Sequence, residues 1–422
     1  MREPKKQLPF KFPSRFLWGA ATSAHQIEGD THNQWSVWEL ENAKSLAKQA
    51  EYKQTWLPRW DELKEQATDP DNYISGKSTD HYNRFEQDFD LMQQFGMNAF
   101  RFSIEWSRIE PEEGVWNIEA IEHYRKYLKE LRARDIEPMV TLMHWTLPVW
   151  FAEAGGFEKR RNIHYFVRFA EKVFAELGTD MRYICTINEP EVYAFESYVN
   201  GNWPPNGSSK WRGLKVYYNL AVAHNRVAKL AHQTSRRFRV GLSKNCAHHY
   251  PGDDARLTRA SSAIATWASD YLFLNRVKRN LDWLGLNYYF TNRYYGYRIH
   301  NPETPVSDLG WYMAPGDIQF VLERLYQKYG VPIIVTENGV ADKDDQHRKW
   351  WILHTIIGIN KALQNGVAVE GYLHWSLLDN FEWAYGKWPN FGLIHVDYKT
   401  LKRTPRKSAL WFAGLIKQIR GL

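Results

Sequence analysis

The feature that most constrains the fold is a repeated alternation between short apolar runs and longer helical patterns along one undivided chain of 422 residues. The helical patterns carry apolar residues at i, i+3 or i+4, and i+7, as at 81–92 and 165–174. Eight strands that alternate with helices predict an α/β fold, in which a parallel sheet closes into a single (β/α)8 TIM barrel. The eight apolar runs lie at 16–27, 99–106, 138–145, 183–188, 240–246, 283–290, 332–336 and 369–378.

The domain organisation follows from the same pattern. An open doubly wound sheet is the alternative fold, but its glycine-rich phosphate turn does not follow any early run. No low-complexity linker divides the sequence, so we expect one domain over residues 1–422. The stretch at 43–78 is polar and long, and we interpret it as an insert or lid near the barrel mouth.

Charge and composition exclude several classes of partner. The 55 basic and 48 acidic residues give a formal net charge of +7, and the basic residues are dispersed apart from small clusters at 2–6 and 402–407. Nucleic-acid-binding proteins gather basic residues on one stripe, so we expect no nucleic-acid partner. No run of 18 apolar residues occurs, which predicts no membrane span. Two cysteines and no apolar signal core predict a cytoplasmic protein, and the oligomeric state stays open.

Aromatic residues are numerous, with 20 Trp, 24 Tyr and 21 Phe. Aromatic faces pack well against the apolar faces of sugars and against nucleobases. A large hydrophobic core also holds many aromatic residues, so the count alone does not decide between these interpretations.

Two glutamates stand out at the ends of apolar runs, where a barrel of this type places its chemistry. Glu189 is followed directly by Pro190, and Glu337 is followed two positions later by Gly339. The fourth and seventh strands of a closed barrel approach each other across its mouth, so the two carboxyl groups are expected to flank one bond. A pair of carboxyl groups with unequal pKa values is what glycoside hydrolysis requires.

Four segments together resemble glycoside hydrolase family 1, the family of β-glucosidases and β-galactosidases. Thr-Ile-Asn-Glu-Pro at 186–190 resembles its acid/base motif, and Val-Thr-Glu-Asn-Gly at 335–339 resembles its nucleophile motif. The segment at 16–29, which begins Phe-Leu-Trp-Gly, is similar to its N-terminal signature. Trp-Ser-Leu-Leu-Asp-Asn-Phe-Glu-Trp at 375–383 is similar to its sugar-binding loop. The resemblance extends over residues 16–404, nearly the whole chain.

The resemblance implies a role for each matching residue. Glu337 would be the nucleophile and Glu189 the acid/base, with no metal and no cofactor. Arg101 would support the nucleophile, and Trp311 would form an aromatic platform for the leaving group. The remaining implied substrate-binding residues are Gln26, His144, Trp145, Asn188, Asn287, Tyr289, Trp375, Glu382 and Trp383.

The function that follows is a retaining, exo-acting β-glycosidase, with a small β-glycoside or short oligosaccharide as its partner. Retaining chemistry requires carboxyl groups about 5–5.5 Å apart. Glu382 stands where relatives that cleave phosphorylated sugars carry a small residue, so we expect non-phosphorylated β-glucosides as substrates. Two alternatives remain open: a transglycosylase that uses the same site, and a sugar-binding protein that has lost catalysis.

Departures from the family pattern mark further expectations. Thr146 replaces a common acidic residue, which is expected to alter the hydrogen bonds behind His144. Trp388 is interpreted as a surface aromatic residue rather than as an extra sugar platform. The segment at 247–282 is short for the family, which is expected to leave the leaving-group side more open. Cys246, with the two histidines at 248–249, is not expected to bind a metal ion, because no fourth ligand is evident.

Overall fold

Eight parallel strands form a closed barrel in the computed structural model, which describes residues 10–422. Each strand pairs with the next one along the chain, and the last pairs with the first, which confirms the barrel and excludes the open doubly wound sheet. The basic cluster at 2–6 lies outside the described residues. The barrel strands are β1 Leu17–Ala21, β2 Ala99–Ser103, β3 Glu137–Thr141, β4 Tyr183–Asn188, β5 Arg239–Asn245, β6 Leu284–Asn287, β7 Ile333–Glu337 and β8 Val369–Trp375.

Helices cover the outside of the barrel and extend over its mouth. Two small sheets add to them, one of His248–Pro251, Thr291–Tyr295 and Arg298–Ile299, and one of Ile394–Val396 and Arg403–Pro405. The α-helices of the described chain are α1 Ala24–Ile27, α2 Gln34–Lys53, α3 Trp60–Ala67, α4 His81–Gln94, α5 Trp106–Ile109, α6 Ile118–Ala133, α7 Val149–Glu153, α8 Ile163–Leu177, α9 Pro190–Tyr198, α10 Lys210–Thr234, α11 Arg256–Thr266, α12 Leu272–Val277, α13 Ile318–Tyr329, α14 Arg348–Gln364 and α15 Lys407–Arg420.

The core lies between the barrel and its surrounding helices. All six residues of β4 are buried, as expected for a parallel strand that is covered on both faces. On α8 the apolar residues recur every three or four positions, which turns one face of the helix toward the sheet. Phe169 on this face stacks on Trp106, with ring centroids 5.0 Å apart. The predicted helical patterns at 81–92 and 165–174 lie within α4 and α8 and are confirmed.

The polar stretch at 43–78 folds as the second half of α2, then α3 and a 3-10 turn at Pro70–Tyr73. Helix α2 begins before this stretch. Asn33 accepts hydrogen bonds from the backbone N–H groups of Trp35 and Ser36, and the Ser36 hydroxyl accepts one from the Asn33 backbone, which completes a capping box. None of the helices within residues 10–422 is long and apolar enough to cross a membrane.

Candidate active site

A cavity of about 730 Å³ opens at the carboxyl ends of the barrel strands. The predicted residues Gln26, Arg101, Asn188 and Asn287 are fully buried rather than part of the cavity lining. The other predicted site residues all line the cavity: His144, Trp145, Glu189, Tyr289, Trp311, Glu337, Trp375, Glu382 and Trp383. The structure therefore brings together at one end of the barrel residues that lie far apart in the sequence.

The two glutamates occupy the positions expected from the sequence pattern. Glu189 follows β4 directly and precedes α9, and Glu337 is the last residue of β7. The Asn287 amide, at the end of β6, donates a 2.8 Å hydrogen bond to Glu189 Oε1. On the other carboxylate, Tyr289 donates its hydroxyl to Glu337 Oε2 at 3.0 Å, and Arg101 donates Nη1 to Oε1 at 2.6 Å. Hydrogen bonds from neighbouring side chains thus fix the positions of both carboxyl groups.

The surroundings of the two carboxyl groups differ in charge. Burial, and then the negative charge of Glu337, raise the pKa of Glu189 well above its usual range. Burial also raises the pKa of Glu337, but the Arg101 guanidinium and the Tyr289 hydroxyl oppose that effect. These surroundings favour ionisation of Glu337 before Glu189.

Four non-glycine residues that line the cavity have left-handed backbone conformations, among them Asn206 at φ +56°. The other φ angles are +73° at Trp145, +40° at Glu189 and +50° at Trp383. Side chains other than glycine rarely adopt this region, because the Cβ atom approaches the following carbonyl oxygen. Such residues cluster at functional sites, where the surrounding structure holds them in place.

A buried network of hydrogen bonds lies on the Glu337 side of the cavity. Arg101 donates a 2.7 Å hydrogen bond to Asn188 Oδ1, and the Asn188 amide group in turn donates to His144 Nε2 at 3.0 Å. The acceptor role of Nε2 places the imidazole proton on Nδ1. Burial and the charge of Arg101 lower the pKa of His144 well below its usual range, so the ring is neutral.

Thr146 bonds to Glu105 and not to His144. Its hydroxyl donates to Glu105 at 2.9 Å. Among the described residues, His144 Nδ1 is buried without a hydrogen-bond partner.

Glu382 lines the polar inner end of the cavity, and Gln26 is buried next to it. The Gln26 amide group donates to the Phe381 carbonyl oxygen at 2.8 Å, to Asn380 Oδ1 at 3.0 Å and to Glu382 Oε2 at 3.4 Å. Burial and the charge of Glu337 raise the pKa of Glu382 to about 8. At neutral pH this carboxyl group is mostly protonated, so it both donates and accepts hydrogen bonds.

Tryptophans form the walls of the cavity. The ring centroids of Trp145 and Trp383 lie 4.9 Å apart, and those of Trp145 and Trp203 lie 4.7 Å apart. Trp375 stacks on His144 at 5.9 Å. Trp311 packs against Phe290 at 4.8 Å, which places it in the cavity as predicted.

The individual residues of the outer wall of the cavity were not predicted from the sequence, although the stretch at 43–78 was expected near the barrel mouth. On α2, the residues that line the cavity recur every three or four positions, which is the period of one helix face. That period is the signal that could have identified them. The lining residues from this side are Trp38, Asn42, Ser45, Leu46, Gln49, Ala50, Lys53, Gln54 and Trp56, and those from the facing side include Glu196, Asn200, Asn202, Trp203 and Asn206.

The structure corrects the sequence interpretation of Trp388. Trp388 is 2% exposed and packs against Tyr385, so its interpretation as a surface residue was wrong. The loop folds inward because Lys387 and Gly386 contact the backbone and side chain of Asn72. Within residues 10–422, no group of three or more His, Cys, Asp or Glu side chains is placed to hold a metal ion.

Comparison with known proteins agrees with this geometry. β-Glucosidase A of Thermotoga maritima is 28% identical over 96% of the chain and 98% of the relative, and a 6-phospho-β-galactosidase of Clostridium acetobutylicum is 28% identical over 95% and 96%. The structure of a β-glycosidase from Pyrococcus horikoshii is 33% identical, covers 98% of this chain and 96% of its own, and has a TM-score of 0.85. The model of glycosyl hydrolase family 1 matches residues 8–275 and 257–420. This match over the whole barrel shows that the chain belongs to glycosyl hydrolase family 1 and is a glycoside hydrolase.

Proposed function

We propose that the protein is a retaining, exo-acting β-glycosidase that hydrolyses non-phosphorylated β-glucosides, with β-galactosides and β-fucosides as further substrates. The observation that carries the proposal is the unequal setting of two neighbouring carboxyl groups. Glu337 accepts hydrogen bonds from Arg101 and Tyr289, whereas Glu189 accepts one from Asn287. A bonded cation favours an ionised carboxylate, and burial without one favours the protonated acid.

The proposed mechanism uses Glu189 and Glu337 in two steps. Protonated Glu189 donates its proton to the glycosidic oxygen while ionised Glu337 attacks the anomeric carbon, so the leaving alcohol departs and a glycosyl ester forms. Ionised Glu189 then takes a proton from water, whose oxygen attacks the same carbon and releases the sugar with its original configuration. The scheme requires carboxyl groups about 5–5.5 Å apart.

The buried polar residues at the inner end of the cavity support exo action. His144 and Glu382 line the cavity and offer hydrogen-bond donors and acceptors to the hydroxyl groups of one terminal sugar, between the indole walls of Trp375 and Trp383, and the buried Gln26 holds Glu382 in place. Asn188 directly precedes Glu189 and Asn287 donates to its carboxyl group, and we propose that these buried amides reach the sugar near its reacting carbon when it binds.

Hydrolysis of a panel of 4-nitrophenyl glycosides, with the first-formed anomer followed by NMR, tests the proposal. We expect release from the β-glucoside and β-glucose as the first product. First formation of α-glucose would contradict the retaining mechanism. An added acceptor alcohol that captures most of the sugar would identify the transglycosylase, and affinity without turnover would identify the sugar-binding protein.

Glu382 underlies the proposed preference for non-phosphorylated sugars. The β-glucosidase and the 6-phospho-β-galactosidase named above are equally similar to the chain, so overall identity does not separate the two substrate classes. The raised pKa of Glu382 weakens simple charge repulsion of a phosphate, so the preference depends more on the size and hydrogen bonds of the side chain.

Replacing Glu382 with serine tests that preference. Loss of hydrogen bonds to sugar hydroxyls is expected to lower kcat/KM for 4-nitrophenyl β-glucoside by about 10- to 100-fold. The ratio of activity on the 6-phosphorylated substrate to activity on the plain one should rise, because the smaller side chain makes room for the phosphate. Both substrates are compared in steady-state kinetics, with Glu370→Gln at the opposite end of the barrel as the control. An unchanged ratio would mean that residues other than Glu382 determine the preference for non-phosphorylated sugars.

We further propose that α2, within and beside the polar stretch at 43–78, forms a wall for the leaving group. Its cavity face offers Gln49 and Lys53, and Trp56, which is 61% exposed, follows at the rim. Amide, ammonium and indole groups suit the hydroxyls and faces of a sugar leaving group better than a purely apolar one.

The double change Gln49→Ala/Trp56→Ala is expected to lower kcat/KM for cellotriose and cellotetraose by about 30-fold, because each of the two lost contacts contributes about 1 kcal/mol. Activity on 4-nitrophenyl β-glucoside, whose leaving group is too short to reach α2, should change less than about twofold. The matched control is Lys48→Ala on the exposed face of α2. An equal loss on the short and long substrates would argue against a leaving-group wall.

The proposed location is the cytoplasm. Both cysteines of the chain, Cys185 and Cys246, are buried as free thiols, which suits a reducing compartment. Fractionation of cells that express the protein tests this location.

A further inference from the structure

A charged pair lies buried beside Glu189, outside the set of residues that the proposed mechanism uses. Lys244, in β5, has a fully buried side chain, and its ammonium group donates a 2.9 Å hydrogen bond to Glu191 Oε1. Glu191 lies two residues after Glu189, in the first turn of α9. Burial of a lysine side chain costs free energy unless its charge is paired, so the buried position of Lys244 indicates a specific role.

Hydrogen bonds fasten the first turn of α9 to the end of β5 at three consecutive residues. The backbone N–H of Glu189 donates to the Ser243 carbonyl oxygen at 2.8 Å. Glu191 Oε1 accepts from Lys244 and also from the backbone N–H of Asn245 at 2.9 Å. The pair thus holds the helix turn that carries Glu189, whose own backbone is left-handed at φ +40°.

The two charges of the pair also shift the pKa of Glu189, in opposite directions. The negative charge of Glu191 raises the pKa of Glu189, after burial and the charge of Glu337, and the cation of Lys244 lowers it. Tyr289, following β6, also faces the carboxyl group, and its pKa is raised mainly by burial. On its far side, Lys244 faces Cys246, Tyr217 and Asp270.

We propose that Glu191 and Lys244 are positioning residues for Glu189: the ion pair fixes the first turn of α9 against β5 and sets the balance of charge around the proposed acid/base. This inference rests on the proposed role of Glu189 in catalysis. It adds residues that touch neither the sugar nor the nucleophile and that act through Glu189 alone.

The sign of the effect can be worked out for each member of the pair. In Glu191→Gln a negative charge that favours the protonated acid is lost while the lysine remains, so the pKa of Glu189 falls. Adding Lys244→Met to Glu191→Gln removes the opposing cation, so the pKa rises again. Because the charge of Glu191 acts more strongly than that of Lys244, the double variant stays below the wild type. Lys244→Met is made only in this background, since alone it would leave Glu191 unpaired.

Titration of the Glu189 carboxyl by infrared difference spectroscopy tests the proposal without any substrate. The carboxylic-acid band is assigned by its loss in Glu189→Gln. We expect its midpoint to fall by about one pH unit in Glu191→Gln and to recover partly in the double variant. A midpoint that does not move in Glu191→Gln, or does not rise again in the double variant, overturns the proposal.

Turnover of 4-nitrophenyl β-glucoside supplies the second readout. In Glu191→Gln the alkaline limb of the kcat/KM profile should move down with the infrared midpoint, and kcat should fall more than KM changes. Glu370→Gln, which removes a partner of Arg239 at the other end of β5, is the control with no expected shift. If Glu191→Gln does not fold, the double variant is titrated instead. A Glu189 midpoint at or above the wild-type value would then contradict the proposed role of the Glu191–Lys244 pair. Absence of turnover in the wild type would reject the proposed function. The infrared titration would still show whether the Glu191–Lys244 pair sets the pKa of Glu189.

Discussion

Replacing Glu337 with glycine is expected to lower kcat for an aryl β-glucoside by about 10⁴-fold or more, because it removes the proposed nucleophile. The substitution also leaves a space on the α face of the sugar, where the carboxylate lay. Azide added to the variant should enter that space, attack the anomeric carbon directly and yield the α-glucosyl azide. The rate of phenol release with and without azide, and the anomer identified by NMR, provide the measurement.

The matched control is Glu337→Gln, which keeps the shape of the side chain but cannot attack. It should be as inactive as the glycine variant, yet azide should not restore it, because the amide still fills the space. Arg101 and Tyr289 keep their donors in both variants, so the difference isolates the space that the missing carboxylate leaves. Activity near that of the wild type in either variant, or a β-glucosyl azide from the glycine variant, would assign the nucleophile to another residue.

The barrel was predictable because each strand has a local signature in the sequence, namely a short apolar run. All eight apolar runs begin within one residue of a barrel strand, and the run at 16–27 differs only at its end, where Ala24–Ile27 forms a short helix. The polar residues after the runs mark the cavity end of the barrel, so the glutamate pair was predictable from the same pattern. Local patterns of this kind need no knowledge of distant partners.

The features that could not be predicted depend on contacts between segments that lie far apart in the sequence. Trp388 is buried because its loop packs against Asn72, more than 300 residues earlier in the chain. Glu191 and Lys244 come from different elements, and neither residue alone signals an ion pair. The pKa of Glu382 rises because the barrel places it near Glu337 and away from water. Burial and pairing of charges are properties of the closed structure, so they could not be predicted from single positions.

Replacing Glu189 with glycine is expected to produce a loss that depends on the leaving group. Cellobiose needs a proton on its departing oxygen, so kcat/KM for it should fall by about 10³- to 10⁴-fold. A 2,4-dinitrophenyl group departs without protonation, so the first step should remain fast with that substrate. Hydrolysis of the glycosyl ester then becomes limiting, because no base activates the water. A burst of dinitrophenol followed by slow steady turnover is the signature to measure.

Azide distinguishes the two glutamates by the face on which it attacks. In the Glu189→Gly variant the sugar is already bound to Glu337 on its α face, so azide attacks from the opposite face and yields the β-glucosyl azide. The same substitution should flatten the alkaline limb of the pH profile, because the raised pKa of Glu189 is what makes activity fall as pH rises through it. Opposite anomers from the two variants would place the carboxyl groups on opposite sides of the anomeric carbon, as double displacement requires, whereas the same anomer from both would contradict it.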